Sequence, residues 1–430
     1  MKSQTQKIVD PQLPQLTEVM NTTFMRSFFQ NHLTTSAKSA LRHCRIIGMR
    51  YKPGRHCTVT YELLFTADFK SQILLTRIEH VEKLKKNRSA LLARGAMWIP
   101  ELQMYLWFFP HDPRLEALAE LTDFEKVQII MANLSMDEMA DEKGCDRLEI
   151  VPISYVPVRH CALKITRNNH RVFAKIYADN RGQRVYNIMQ KFWQYQKSRR
   201  VRFGVTRPLA FDEKRKVLWQ QWVAGQTWMQ FTRMEGLKRA CVLTAIALAD
   251  FHQTHLSGLP CYRPEELFHK LNERTKLLIR FNPDLQKPLA VILSDLRGSD
   301  SLWQPFLQVP IHGDFNYSQI LFANSHPIFI DFDAAGMGDP LYDVAHFLTS
   351  LHWLETRRIL TSRQVKLASR IFIDTYQKHV PWEITNQALA KQMAMALVCR
   401  RAYKAMRQLE DNTSGKIEYY LNLAEQYLQV

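Results

Sequence analysis

The segments IHGDFNYSQILF (residues 311–322) and PIFIDFDAAGMGDPLYDVAHFL (residues 327–348) place two carboxylates at the ends of a short strand-turn-strand. Asp314 follows His312 and Gly313 and opens a tight loop, whereas Asp331 ends the apolar run from Pro327 to Ile330, where a buried strand would deliver it to a cleft. In such a pair one carboxylate can orient or deprotonate a hydroxyl while the other holds a metal on phosphate oxygens. A single hairpin separates them, so both can converge on one ligand.

The ordered set His312-Gly313-Asp314, Ile330-Asp331-Phe332, Gly338-Asp339-Pro340 and Asp343-Val344-Ala345 resembles the signature of the aminoglycoside phosphotransferase and choline kinase-like family. The resemblance implies an α+β, protein-kinase-like two-lobe fold and transfer of phosphate from ATP, with Mg2+, to the hydroxyl of a small-molecule substrate. It assigns Asp314 as the catalytic base and Asp331 as a magnesium ligand. Gln319 stands where the family has asparagine five residues after its aspartate, and it offers the same amide oxygen on a side chain one methylene longer. In this reading His312 braces the loop, Asp339 before Pro340 starts a helix, and Asp343 fixes the lobe through hydrogen bonds.

The first half of the chain contains an internal repeat. Tyr51-Lys-Pro-Gly-Arg-His-Cys57 and Tyr155-Val-Pro-Val-Arg-His-Cys161 share five of seven residues at a constant offset of 104. Each motif enters a strand-like run, Thr58 to Phe65 and Ala162 to Thr166. A second strand follows (Ile73 to Ile78; Val172 to Tyr177), then a helical stretch (Val81 to Arg94; Gln183 to Lys197) and an aromatic strand (Met104 to Phe109; Val217 to Val223). Strand, strand, helix, strand is the core order of a kinase-like small lobe, so that lobe is expected in duplicate, followed by a helix-rich large lobe. The expected organisation is a helical extension over 1–44, a first small-lobe repeat over 45–140, a nucleotide-binding small lobe over 145–225 and a helical lobe with the catalytic loop over 226–430.

The second copy runs directly into the large lobe through Val223-Ala224-Gly225, which resembles the hinge of the family. Gln221 and Val223 are the positions there whose backbone would pair with the adenine edge. Lys175, on an apolar strand, matches the phosphate-binding lysine of kinase-like folds. The corresponding stretch of the first copy, Ile73 to Arg77, has no clear lysine equivalent. The large lobe reads as helices over Lys238 to His255, Pro264 to Leu278, Leu289 to Leu296, Tyr342 to Leu354, Ser362 to His379 and Asn386 to Leu409. Within the first of these, His252 reads as a packing histidine. The helices at 264–278 and 289–296 are suited to shape an acceptor pocket.

Composition sets the outer limits. A chain of 430 residues that is 46% hydrophobic and 11% aromatic can bury several cores, which excludes a disordered protein. No apolar window is long enough to span a bilayer and no secretory signal opens the chain, so a cytoplasmic protein without a membrane partner is expected. Seven scattered cysteines without a Cys-x-x-Cys pair read as free thiols. The net charge of +17 disfavours a polycationic acceptor. Charge alone also suggests a nucleic-acid binder, but no Gly-aromatic RNA motif or zinc spacing supports one. The twelve Lys and Arg against four Asp and Glu in 357–416 read as a solvated helix face.

Two departures from the family pattern motivate an alternative, a nucleotide-binding pseudokinase or regulatory module. One is Gln319. The other is the absence of any Asp or Glu between Asn180 and Ala210, where the helix glutamate that pairs with the strand lysine would stand. Gln190, or a carboxylate from elsewhere, would then have to orient Lys175.

Overall fold

The computed structural model describes residues 8–33, 40–66, 71–133, 148–167, 170–297 and 307–429. The expected repeat boundaries at 140 and 145 lie outside the described residues. The chain divides into two compact units, one made of 1–180, 212–217 and 405–413, the other of 181–211, 218–404 and 414–430. Among the described residues, no helix is long and apolar enough to cross a membrane.

The first unit opens with α1 (Leu16–Met20) and α2 (Thr22–Leu33), followed by β1 (Leu41–Lys52), β2 (His56–Phe65) and β3 (Ser71–Glu79). After α3 (Val81–Ala93) come β4 (Met97–Ile99) and β5 (Met104–Phe108), and the sheet order is β1-β2-β3-β5-β4, antiparallel throughout. Leu75, Leu84, Tyr105 and Trp107 form a core between α3 and this sheet. β1 lies partly in the stretch expected as a helical extension. Its apolar alternation is broken by register shifts between Leu41 and His43 and between Ile46 and Gly48, which hide a strand from a period-two reading.

α4 (Phe124–Asn133) precedes the second copy, in which β6 (Leu148–Val156), β7 (His160–Arg167) and β8 (His170–Tyr177) pair antiparallel. Register aligns the copies: Cys57 faces Ile78 and Thr58 faces Arg77, just as Cys161 faces Ile176 and Ala162 faces Lys175. Arg77 is therefore the counterpart of Lys175. Its Nε donates to the buried Glu79 at 2.8 Å, and Glu79 also accepts from Asn87 of α3 at 3.1 Å.

The repeat reaches further upstream than the Tyr-x-Pro motif. Asp10-Pro-Gln-Leu13 and Asp112-Pro-Arg-Leu115 share Asp-Pro-x-Leu at an offset of 102, with Leu16 and Leu118 in step. All four leucines are buried. Each aspartate latches its own hairpin: Asp10 accepts from the Tyr51 hydroxyl and the Gly54 N–H, both at 2.7 Å, and Asp112 accepts from the Tyr155 hydroxyl at 2.8 Å and the Val158 N–H at 2.9 Å. Gly54 takes the left-handed conformation at φ 64, and Val158 takes it at φ 58 despite its branched side chain, which the charge-assisted bond from its N–H offsets.

The unit seams cross β10 (Pro208–Asp212) and β11 (Val217–Gln221), which follow α5 (Arg181–Ser198) and β9 (Gly204–Val205). In the second unit β12 (Gln226–Thr227) leads to α6 (Met234–His252), α7 (Pro264–Phe281) and α8 (Gln286–Arg297). Then come β13 (Val309–Ile311), β14 (Ile320–Ala323), β15 (His326–Phe329) and β16 (Gly336–Gly338). The sheet β12-β14-β15-β9 and the ribbon β13-β16 carry the two motif loops. α9 (Pro340–Thr356), α10 (Ser362–Gln377), α11 (Asn386–Ala396), α12 (Tyr403–Gln408) and α13 (Thr413–Leu428) complete the helices.

The helix expected over Asn386 to Leu409 is not one α-helix. A π-turn at Leu397–Ala402 interrupts it and shifts the register of its faces. As a result the basic residues of this region are not all solvated: Lys391 and Arg401 are buried and Arg400 turns inward. The fold is α+β, with a sheet-rich part followed by a helical one.

Candidate active site

Aromatic packing sets both carboxylate loops on one floor. Phe315, next to Asp314, lies 4.9 Å from Phe329, and Phe332, next to Asp331, lies 5.4 Å from Phe192 of α5. Phe192 stacks in turn on Phe251 at 4.5 Å. All five rings are fully buried, so the position of each loop is fixed by core packing rather than by its own polar residues.

Direct bonds then couple the loops. The His312 ring, fully buried, places Nε2 2.9 Å from the Ile330 carbonyl, so Nε2 carries the proton. Gly313 adopts φ 74, and a Cβ there would lie 1.9 Å from the Ala334 carbonyl oxygen, so no other residue fits. Beneath both loops the fully buried Asp343 of α9 accepts from the His312 N–H at 2.6 Å and the Gly313 N–H at 2.9 Å. His252 faces the same carboxylate at 3.3 Å and the Tyr376 hydroxyl at 2.7 Å. Burial lowers the His252 pKa, which keeps this a packing histidine, and Asp339 caps α9 by accepting from the Leu341 N–H at 2.8 Å.

Asp331 itself is left-handed, φ 66 and ψ 68, an uncommon state for a residue with a side chain and one held by its surroundings. The Gln319 carbonyl accepts from the Ile330 N–H at 3.0 Å, so the Gln319 backbone pairs with the residue before Asp331 at the open end of the β14–β15 hairpin. Carboxylate and amide oxygens are the donors that a hard divalent cation takes. Among the described residues no group of three or more His, Cys, Asp or Glu could hold a metal, so a cation here would complete its shell with water and phosphate. That donor set fits magnesium.

Asp314 has a partner that the sequence reading missed. Arg400, from the π-turn, donates through Nη1 to Asp314 at 3.0 Å and through Nη2 to the Gly313 carbonyl at 2.8 Å and the Tyr342 hydroxyl at 3.1 Å. Its Nε points to His346 Nε2 at 3.1 Å. The available signal was the pair Arg400-Arg401 inside an otherwise apolar stretch, Ala394 to Ala402.

Gln221 ends β11 and Val223 lies within the irregular segment that joins it to β12; the Gln221 N–H donates to the Arg207 carbonyl at 2.9 Å. Gln190 gives its amide hydrogens to the Tyr186 hydroxyl and the Pro208 carbonyl. Lys175 belongs to the first unit, where it is buried on β8 with its Nζ 5.1 Å from the centre of the Tyr177 ring. The second unit thus brings together Asp314, Asp331 and Gln319.

No curated protein sequence matches the chain. Among solved structures, a choline kinase from Cryptosporidium parvum Iowa II superposes with a TM-score of 0.51 at 13% identity, covering 71% of this chain and 96% of that one. A choline/ethanolamine kinase family protein from Mesorhizobium loti gives 0.47 at 14% identity, with 71% and 95% covered. An apo thermostable mutant of the aminoglycoside phosphotransferase APH(4)-Ia gives 0.49 at 13%, with 65% and 94% covered. At such identities the likeness concerns the fold. The sequence itself is similar to the phosphotransferase enzyme family, APH, whose model it matches over residues 163–372, the stretch that holds Lys175, both carboxylate loops and Asp343.

Proposed function

We propose that the chain transfers the γ-phosphate of ATP to a hydroxyl of a small-molecule metabolite. The observation that carries this reading is the coupling of the two carboxylate loops through His312, Gly313 and Asp343, which holds Asp314 and Asp331 at fixed positions on one floor. Asp314 orients the acceptor hydroxyl and takes its proton as the oxygen bonds to phosphorus and the bond to the diphosphate leaving group breaks. Arg400 sets the orientation of Asp314 and restrains the loop carbonyl beside it. Lys175 holds phosphate oxygens, and the backbone at Gln221 and Val223 pairs with the base. Asp331 and Gln319 would hold a magnesium ion, which would supply positive charge to offset that developing on the leaving group.

The test is ADP formation by the full chain with ATP, magnesium and a mixture of hydroxylated metabolites. Asp314→Asn should abolish transfer while nucleotide affinity is kept, and Asp331→Ala should cost metal-dependent nucleotide binding as well. Undiminished turnover in either variant removes the assignment.

A second reading, nucleotide binding without efficient transfer, is favoured by the Arg400 pair on Asp314 and by the absence of an acidic residue from α5. It predicts that ATP raises the melting temperature while no ADP forms with magnesium, manganese or calcium.

A further inference from the structure

The second unit contains a solvent-open pocket lined by Tyr262, Leu267, Phe268, Leu296, Ile311 and Met395, an apolar wall of the kind that receives the body of a small molecule. A second, smaller pocket shares Leu267, Tyr342, Gln392 and Met395 with it, so the two adjoin. The smaller one is chemically different: Lys270, Arg274 and His346 line it, and Arg400 bonds the same His346.

The sequence placed these groups at some cost. Leu267, Lys270 and Arg274 share one face of α7, and two like charges four residues apart on a helix repel. Burial, with Arg400 and Arg274 adding to it, lowers the Lys270 pKa to about 8. Arg274 gives a hydrogen to the Cys399 carbonyl at 2.5 Å and lies over the Tyr403 ring at 4.8 Å, which leaves its charge uncompensated by either contact. Two carboxylates border the region. Asp314 is already met by Arg400, and burial raises Asp339 to about 6 while its oxygens serve Leu341 and Gln392. The excess of charge is positive.

Two buried polar atoms also face this space without a protein partner. His346 is 3% exposed, and its Nε2 accepts from Arg400, so its Nδ1 carries a proton that nothing receives. Gln392 is 4% exposed and its Oε1 accepts from nothing. Buried polar atoms in native proteins are nearly always satisfied, which points to a ligand.

We propose that this pocket selects an acceptor that carries an oxyanion, a phosphate or a carboxylate, on an apolar body, with the oxyanion seated among Lys270, Arg274 and the His346 Nδ1–H. Gln392 Oε1 would take a hydrogen from the same molecule. The proposal rests on the phosphotransferase reading only in calling the occupant an acceptor; the binding itself does not require transfer.

The experiment is therefore done without nucleotide, by calorimetry on the full chain. The probes are phenyl phosphate, phenylacetate, benzyl alcohol, benzylamine and inorganic phosphate. Phenyl phosphate or phenylacetate should bind measurably tighter than benzyl alcohol or benzylamine, and the stronger of the two identifies the oxyanion. Inorganic phosphate should bind more weakly than phenyl phosphate, because it leaves the apolar end empty. Lys270→Gln should weaken the anionic probe about tenfold, roughly 1.4 kcal/mol for a lost charge-assisted contact, while Lys175→Gln should leave it unchanged. Equal or tighter binding of benzylamine, or an anion affinity sensitive to Lys175 and indifferent to Lys270, overturns the proposal. Failure of ADP formation with intact anion binding would remove the kinase reading alone.

Discussion

Arg400 holds the carboxylate of Asp314 at 3.0 Å from a π-turn 86 residues further along the chain. The two side chains are 23% and 41% exposed, so the pair contributes on the order of 0–1 kcal/mol to stability and a ligand can rearrange it. Its value is positional: one guanidinium fork serves a carboxylate, a carbonyl, a hydroxyl and an imidazole. Arg400→Lys keeps the charge but not the fork. We expect the melting temperature to move little and kcat to fall about tenfold or more with KM for ATP nearly unchanged, as read by steady-state ADP formation.

Asp343 is the hidden support of the site. An amide in its place has one oxygen and would turn an NH2 toward the His312 or Gly313 N–H, so Asp343→Asn should destabilise the protein by about 2–4 kcal/mol. Urea denaturation followed by tryptophan fluorescence measures this. A change below about 0.5 kcal/mol would show that the loop is held by packing alone.

The two hairpin latches separate stability from nucleotide use. Asp10→Ala removes three hydrogen bonds to a charged group and Asp112→Ala four, about 2–3 kcal/mol or more in each case, and both should lower the melting temperature. Only Asp112→Ala loosens the turn that feeds the strand opposite Lys175, so under the proposed function it alone should raise KM for ATP.

Lys270 makes anion binding dependent on pH. With its pKa lowered to about 8, affinity for phenyl phosphate should decline as pH rises through about 8, because the ammonium becomes neutral. Its surroundings are Arg274 on the same helix, Tyr342 and His346 from α9, Gln392 from α11, Cys399 and Arg400 from the π-turn, and Asp314. The same lowering favours folding as pH rises from about 8 toward 10.5, since over that range the unfolded chain binds the extra proton. Lys270→Gln should flatten both dependences, measured by calorimetry and by thermal melts over that range.

Much of the fold was readable because it depends on local rules. Pro264 at the first turn of α7, Asp339 before Pro340, and the 3.6-residue rhythm of Ala245, Leu248 and His252 locate helices without any tertiary knowledge. Asp314 and Asp331 were readable because a Gly turn and an apolar run mark their loops. Arg400 was not, because its partners are 54 to 87 residues away and helical spacing gives a buried arginine no mark of its own. Asp10 and Asp112 stand in the sequence as Asp-Pro-x-Leu, but each precedes its hairpin motif by about forty residues of unlike sequence, so nothing local ties the aspartate to the turn it latches.

The internal pair in the first copy has a consequence for stoichiometry. Arg77 occupies the register position of Lys175 but is already neutralised by Glu79, two residues on and buried, so a phosphate arriving there would have to displace an acid of the same strand. Under the proposed function, titration with a non-hydrolysable ATP analogue should therefore saturate at one equivalent per chain, although the polypeptide carries two versions of the sheet.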